Sequence, residues 1–419
     1  MKVLVLGGGY CQLNMIKRLK YEGHYLILVD YLKNNPSKKY ADEHHCVSTF
    51  DTPAVLELMI KSKAEAVITM GTDQPVLTAA SVAKEIGIPF YVDPDIALAV
   101  TNKRIMKAQF DRNHIPTANY RLITREFTER NVLGIKFPAV LKPVDSQGQR
   151  GIFIVQNIND IRMHIDETLD YSRESKVLLE EYYPNDEITV SGWVHEDKAY
   201  IISVVDRVTM EKGNRIGICI AHNYPSLHFS KYREDIYSIT QSIVTGFGIK
   251  EGPLYFQYLI GDRGIIVNEI AMRIGGAYED IAIPIYSDID ILGLVMSSSL
   301  GMKNELQKLY DYDIDDKPVS LSVQMFFIRP GLVSYTTPIN ELLELDGVEN
   351  ALYIVSEGNK IGNIENATAR AGYFIVRGAD YKDTLNKVDK VFEKLQIKDS
   401  DGKNMVIKYS EYENKYKFI

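Results

Sequence analysis

The chain opens on a short apolar run in "MKVLVLGGGY" that stops at three glycines. In the following "CQLNMIKRLKYEG", Leu13, Ile16 and Leu19 recur at helical spacing. This pattern predicts a strand, a tight turn and a helix. "YLILVD" supplies a second buried strand, and "AEAVITMG", "ASVAKEIG" and "IPFYVD" continue the alternation, so a parallel α/β sheet is expected over about residues 1–101. From Thr101 the texture changes. "NKRIMKAQFDRNHIPTANY" predicts a helix that stops before Pro116, "FPAVLKPVDSQGQRGIFIV" two strands around a polar loop with two glycines, and "KVLLEEYY" a strand running into a linker. "EITVSGWVHEDKAYIISVVDR" alternates as an antiparallel hairpin does, turning at a Glu-Asp pair. A further hairpin, "GPLYFQYLIGDRGIIVNEI", leads to "AMRIGGAYEDIAI" and a helix near residues 288–300.

The last hundred or so residues hold "LYIVSEGNKIG", "AGYFIVRG" and the amphipathic "YKDTLNKVDKVFEKL", whose Leu385, Val388, Phe392 and Leu395 share one helical face. The expected fold class is therefore α/β and α+β: a Rossmann-like domain at 1–101, a two-part α+β domain at 102–310, and a small closing α/β domain at 311–419. Within the middle domain, about 115–187 forms the first subdomain.

Composition narrows the function classes. The 419 residues carry a formal net charge of -8, which gives no chain-wide basic footprint for nucleic acid or an anionic membrane. No apolar run reaches the roughly 18 residues of a membrane span, and the start lacks a signal peptide, so cytoplasmic residence is expected. Cys11, Cys46 and Cys219 are scattered with no zinc-ligand spacing, which argues against a structural zinc site and a disulfide framework.

Three local features carry chemistry. Gly7 and Gly9, with Asp30 at the end of the second strand, sit where a dinucleotide fingerprint would place them, but Gln12 replaces its third glycine. An NAD-dependent dehydrogenase is thus a minor alternative. In the hairpin, a three-residue loop Asp262-Arg263-Gly264 would set Gly261 opposite Ile265 and Gln257 opposite Glu269. The two polar side chains would then share a face at Cβ separations of about 5 Å, close enough to share a cation such as Mg²⁺. A two-residue loop would send them to opposite faces. Finally, the loop after Lys142 runs back into a strand rather than into a helix, which excludes a P-loop and leaves a β-flap over a fixed charge.

Taken in order, these pieces resemble the ATP-grasp superfamily of carboxylate-amine and carboxylate-thiol ligases over nearly the whole chain, with likenesses to carbamoyl phosphate synthetase, the biotin carboxylase group and the L-amino-acid ligases. The resemblance implies that Lys103 in "TNKRIMK" and Lys142 in "FPAVLKP" are the two ATP lysines. Ser146, Gln147, Gly148 and Gly151 would form the flap over the triphosphate. Glu180 would meet the adenine amine, Tyr182 and Tyr183 would line its pocket, and Glu187 would bind the ribose hydroxyls. Glu269 matches the bridging Mg²⁺ ligand, and Gln257 the other ligand position, which is glutamine in carbamoyl phosphate synthetase. Arg273 matches the arginine beside the transferring phosphoryl group, and His222 lies where several members face phosphate or substrate. Ala271 stands where the family usually has asparagine, which puts a second metal ion in doubt.

The implied activity is an ATP- and Mg²⁺-dependent ligase, with one or two ions and Mn²⁺ as a substitute, that activates a carboxylate for attack by an amine; an amino acid is the favoured substrate. A purine-pathway ligase of the same superfamily and a nucleotide-binding protein that has lost turnover are the alternatives. The partners implied are small-molecule carboxylates and amines, not nucleic acid or membrane, and a homodimer is left open.

Overall fold

The computed structural model describes residues 1–146, 149–212, 215–316 and 319–411. Its first sheet is parallel, with β1 (Lys2–Leu6), β2 (Tyr25–Val29), β3 (Glu43–His45) and β4 (Ala66–Ile68) in the order β3-β2-β1-β4. Strand alternation sorts the apolar residues into two cores. Val3 and Val5 face Met15, Ile16 and Leu19 of α1 (Leu13–Tyr21), whereas Leu4 and Leu6 face Val55 and Met59 of α2 (Thr52–Ser62) and Ala79 and Val82 of α3 (Gln74–Ile86). The strand expected at "IPFYVD" does not form. Pro89 has no N–H to give a ladder, and Asp93 is already committed to capping α4 (Pro94–Thr101), accepting from the Asp95 N–H at 3.0 Å. Tyr91 and Val92 are buried there as packing residues.

α5 (Lys103–Arg112) starts sharply because the Asn102 side chain accepts from the Arg104 and Ile105 N–H groups. A small antiparallel sheet follows, built from β5 (Tyr120–Ile123), β6 (Ala139–Pro143), β7 (Phe153–Val155) and β8 (Val177–Glu181) in the order β5-β8-β6-β7. α6 (Ile158–Asp170) covers one face with Ile161 and Ile165.

The second sheet is larger. It runs β13-β12-β9-β10-β11-β14 through β9 (Asp186–His195), β10 (Lys198–Lys212), β11 (Arg215–Tyr224), β12 (Glu251–Gly261), β13 (Gly264–Ala271) and β14 (Ser320–Ile328), then continues into Gly372–Gly378 and Val348–Tyr353. The β9–β10 turn is the expected Glu-Asp pair, with Glu196 at φ 49° and Asp197 at φ 63°, the double left-handed turn that matches strand twist. Pairing of β11 with β14 joins Ser320–Ile328, Gly372–Gly378 and Val348–Tyr353 of the closing segment to this sheet, while Gly331–Leu332 with Lys360–Ile361 and Tyr335–Thr336 with Ile397–Lys398 form two separate two-stranded sheets. The helix Tyr381–Lys394 packs on it through Val388 and Phe392, with Leu395 buried just beyond its end and Leu385 half-buried.

The β12–β13 hairpin corrects one expectation and keeps its consequence. It closes on two residues, Asp262 and Arg263, with Gly261 opposite Gly264. Left alone, that register would separate Gln257 from Glu269. A bulge between Tyr258 and Gln257 inserts one extra residue, Asn268, into β13, and Gln257 again lies opposite Glu269.

Candidate functional site

The two antiparallel sheets face each other across a cleft with about 830 Å³ of open space. Alternation on β6 turns Val140 and Lys142 to it while Leu141 is buried in the small sheet's core. The cleft also takes Lys103 from the start of α5, Ser146 from the loop after β6, and Glu180, Tyr182 and Tyr183 from the end of β8 and its linker. The opposite wall is Glu187 of β9, Arg207 of β10, Gln257 and Leu259 of β12, and Ile266 to Glu269 of β13. Residues separated by more than 160 positions thus meet in one cavity.

The charges are arranged in short pairs. Lys103 Nζ donates to Glu269 Oε1 at 2.9 Å and to the Ser146 carbonyl at 3.0 Å. Burial works against the Lys103 ammonium, but Glu269 outweighs it and holds the group above its ordinary value; burial likewise opposes the Glu269 carboxylate, and Lys103 holds it below. Lys142 Nζ lies 2.5 Å from Glu180 Oε2 and 3.1 Å from Asn268 Oδ1, while Lys107, one helical turn beyond Lys103, takes Glu180 Oε1. Burial raises the Glu180 carboxyl, but the two lysines overrule it and set it at about 2. Glu187 pairs with the buried Arg207, whose Nη2 also donates to the Gly217 carbonyl at 2.9 Å.

The tyrosines at the linker are fixed differently. Tyr183 is buried; its hydroxyl donates to the Gly264 carbonyl at 2.9 Å and accepts from the Arg263 N–H at 3.0 Å, and the Arg263 guanidinium lies 4.8 Å from its ring centre. Tyr182 stands at the wall, half-buried. Gly151, beyond the wall, has φ +66°, and a Cβ there would lie 2.8 Å from the Tyr171 ring. Gln147 and Gly148 lie outside the described residues.

Two expected residues stand away from the cleft wall. Arg273 Nε is 2.5 Å from Asp73 Oδ1 at the start of α3, and its guanidinium sits 4.8 Å from the Tyr255 ring centre, so it ties the loop after β13 to the first domain. His222 is fully buried with Nδ1 3.2 Å from Glu279 Oε1; burial would lower it, but Cys219 and Glu279 raise it to about 9. Glu279 reaches this place because Gly275 has no side chain: a Cβ there would lie 2.3 Å from the carboxylate. Ala271 is buried.

The amino-terminal glycine turn excludes the dinucleotide reading. Asp30 accepts from the Gly8 N–H at 2.7 Å and the Leu32 N–H at 2.8 Å. The Asn35 amide oxygen lies 2.4 Å from where a Cβ on Gly8 would stand, and Gln12 packs over Gly7 and Gly9 while donating to the Met70 carbonyl at 2.7 Å. The chain's own side chains occupy the place of a pyrophosphate. What remains is the switch point between the ends of β1 and β4, the place where open parallel sheets bind ligands. There Cys11 touches Gly71, Asn14 donates to the buried Asp280 at 2.9 Å, and Arg370 Nη1 donates to the Gly276 carbonyl at 3.1 Å. Arg370 Nε is buried with no hydrogen-bond partner among the described residues, and burial pushes the Asp280 carboxyl up to about 7.

A family model described as "ATP-grasp domain" matches residues 135–280, the span that supplies both faces of the cleft. Those residues are an ATP-grasp domain. A second family model, "L-amino acid ligase C-terminal domain 2", matches residues 324–399. Curated relatives include an uncharacterized protein of Sinorhizobium fredii, 21% identical over 326 residues that make up 74% of this chain and 63% of the relative. Another is the formate-dependent phosphoribosylglycinamide formyltransferase of Bordetella pertussis, 26% identical over 165 residues, 38% of this chain and 40% of the relative. The chain therefore spans less than two thirds of the length of these relatives. Among solved structures, an L-amino acid ligase from Bacillus licheniformis superposes with a TM-score of 0.78 at 14% identity, covering 95% of this chain and 98% of that one. The biotin carboxylase domain of Hydrogenobacter thermophilus 2-oxoglutarate carboxylase, solved with MgADP, gives 0.76 at 17%, covering 94% and 90%. Both likenesses show that the chain shares their fold.

Mg²⁺ is the ion such a fold implies. Among the described residues no group of three or more His, Cys, Asp or Glu could hold a metal ion alone. Mg²⁺ asks for less, one or two protein oxygens beside nucleotide phosphates, and the Gln257–Glu269 pair fits that need. Sequence reasoning missed Asn268, because no local signal announces the bulge, and Arg207, whose partner follows only from the β9–β10 register. Lys107 was missed as well, although four residues after Lys103 it shares that helix face. No described helix is long and apolar enough to cross a membrane.

Proposed function

We propose that this chain is an ATP- and Mg²⁺-dependent ligase that transfers the γ-phosphoryl group of ATP to a substrate carboxylate, releasing ADP, and then lets an amine displace phosphate from the acyl carbon. The observation that carries the reading is the convergence of Lys103 and Lys142 with the opposed Gln257 and Glu269 in one cleft between two sheets. Positioning and charge neutralisation do most of the work in phosphoryl transfer, so the chemistry asks for no nucleophilic side chain. Lys142 and Lys103 would face the phosphates, Tyr182 and Tyr183 the base, and Glu187, fixed by Arg207, the ribose. Ser146 and Gly151 would belong to the flap that excludes water. Mg²⁺ held at Gln257 and Glu269 would offset charge on the transferring group. Asn268 sets a side-chain oxygen beside Glu269, which answers part of the loss at Ala271 and favours an active enzyme over one that has lost turnover.

The acceptor would enter the crevice at Cys11 and Gly71, where Arg273, Asp280 and Arg370 gather, with the buried His222–Glu279 pair supporting the loop beside it. An amino acid is the preferred acceptor, since the closing segment matches the L-amino acid ligase domain. The match to the Bordetella formyltransferase favours a purine-pathway acceptor as the second reading. Mg²⁺-dependent ADP release across a panel of amino acids and phosphoribosyl amines tests both; binding of ATP with no turnover on either set would sink the ligase reading. A homodimer is the assembly to test alongside, by sedimentation.

A further inference from the structure

We propose that Lys107 is a third lysine of the nucleotide site, and that it acts through Glu180: by holding one oxygen of that carboxylate it leaves Lys142, paired to the other oxygen, with charge to turn to phosphate and makes Glu180 a counter-ion rather than a reader of the base. The proposal rests on the nucleotide reading of the cleft.

Lys107 is 1% exposed, reaches Glu180 Oε1 from behind the cleft wall, and donates to Thr117 Oγ1 at 2.5 Å. Thr117 in turn donates to the Val267 carbonyl at 2.9 Å, which anchors the lysine to the strand that bears Asn268 and Glu269. Glu180 is 3% exposed, and both its oxygens are turned to ammonium groups. Two lysines around one carboxylate leave a surplus positive charge. Remove Lys107 and the remaining pair is neutral: Glu180 then competes with phosphate for Lys142. The groups facing Glu180 are Lys107 and Lys103 from α5, Lys142 from β6 and Tyr120 from β5.

MgADP binding by calorimetry tests this. Lys107→Met should weaken MgADP about tenfold and raise the KM for ATP while kcat stays within about twofold; Lys107→Arg should restore most of the affinity. From pH 8 to pH 5 the native protein should show only the pH dependence of the nucleotide's own terminal phosphate, because Glu180 stays ionised throughout. Relative to the native protein, the affinity of Lys107→Met should improve as pH falls, because protonating Glu180 releases Lys142. Should Lys107→Met fail to fold, the double variant with Glu180→Gln has no unpaired carboxylate and should bind MgADP within about threefold of the native protein. In the Glu180→Gln single variant, ADP and inosine diphosphate, which lacks the amine, should change affinity alike. Unchanged binding in Lys107→Met, a weak double variant, or a loss for ADP about tenfold larger than for inosine diphosphate would each overturn the proposal.

Discussion

Two glycine-bearing turns in this chain follow a buried strand, and either could cradle phosphate. At the amino terminus, Gly7 to Gly9 leave space that Asn35 and Gln12 fill, and the nearby Asp30 spends its carboxylate on the turn's own N–H groups. After β6, Gly151 sits at φ +66° in a loop that returns into β7 beside a cleft walled by Lys142 and Lys103. A glycine turn marks a binding loop only where the chain does not complete it with its own side chains. Spacing reports the backbone; occupancy reports the function.

The largest expected effect falls on the second turn. Lys142→Ala removes the charge beneath the flap and leaves Glu180 to Lys107 alone. ADP release should fall at least about a hundredfold, an effect on the order of 3 kcal/mol in the barrier. A steady-state assay at saturating MgATP checks it, and activity within about threefold of the native protein would remove Lys142 from the site.

Substituting the glycines sharpens the contrast. Gly151→Ala forces a left-handed backbone on a side chain that meets Tyr171, so MgATP turnover should drop about tenfold or more. Gly8→Ala meets the Asn35 amide instead. It should cost on the order of 1–3 kcal/mol of stability and leave MgADP affinity unchanged. The double variant Gly8→Ala with Asn35→Ala should regain much of the melting temperature, since the two changes share one contact. If Gly8→Ala alone weakened MgADP, the two turns would not be separable in function.

Much of this was legible in the sequence because the family's order of motifs is carried by local patterns. Apolar runs marked the strands bearing Lys142 and Glu269, and the likeness of "TNKRIMK" to the family's lysine segment singled out Lys103. The residues that escaped notice depend on non-local facts. The Gln257–Glu269 pairing survived a wrong turn length only because a bulge added Asn268, and nothing in "GIIVNEIA" announces a bulge. Asn35 is 27 positions from Gly8, and its intrusion into the turn follows from how the β2–β3 connection folds back. Arg273 had the right motif, yet its partner Asp73 belongs to a domain read separately.

The smallest effect concerns the crevice beside the first turn, where Asp280 is buried with a single side-chain donor, Asn14. Its carboxyl is pushed up to about 7 by burial, above its unfolded value, so the folded state holds a proton that the unfolded state has lost across the window between them. Stability must therefore fall as pH rises from about 4 toward 7 and level off above it. Glu180, held at about 2, works in the opposite sense and only below its unfolded value of 4.5, so the two effects do not overlap above about pH 5. Asp280→Asn keeps the shape and removes the titration. Its melting temperature should be less dependent on pH between 5 and 7.5 than that of the native protein and higher than it at pH 8, where its stability should exceed the native protein's by on the order of a few kcal/mol at most. Because Asp280 is placed at the acceptor crevice, MgADP affinity should not change while the KM for the acceptor rises. A variant that shifted MgADP affinity as well would mean that crevice and cleft act as one site, and the contrast between the two turns would fail with it.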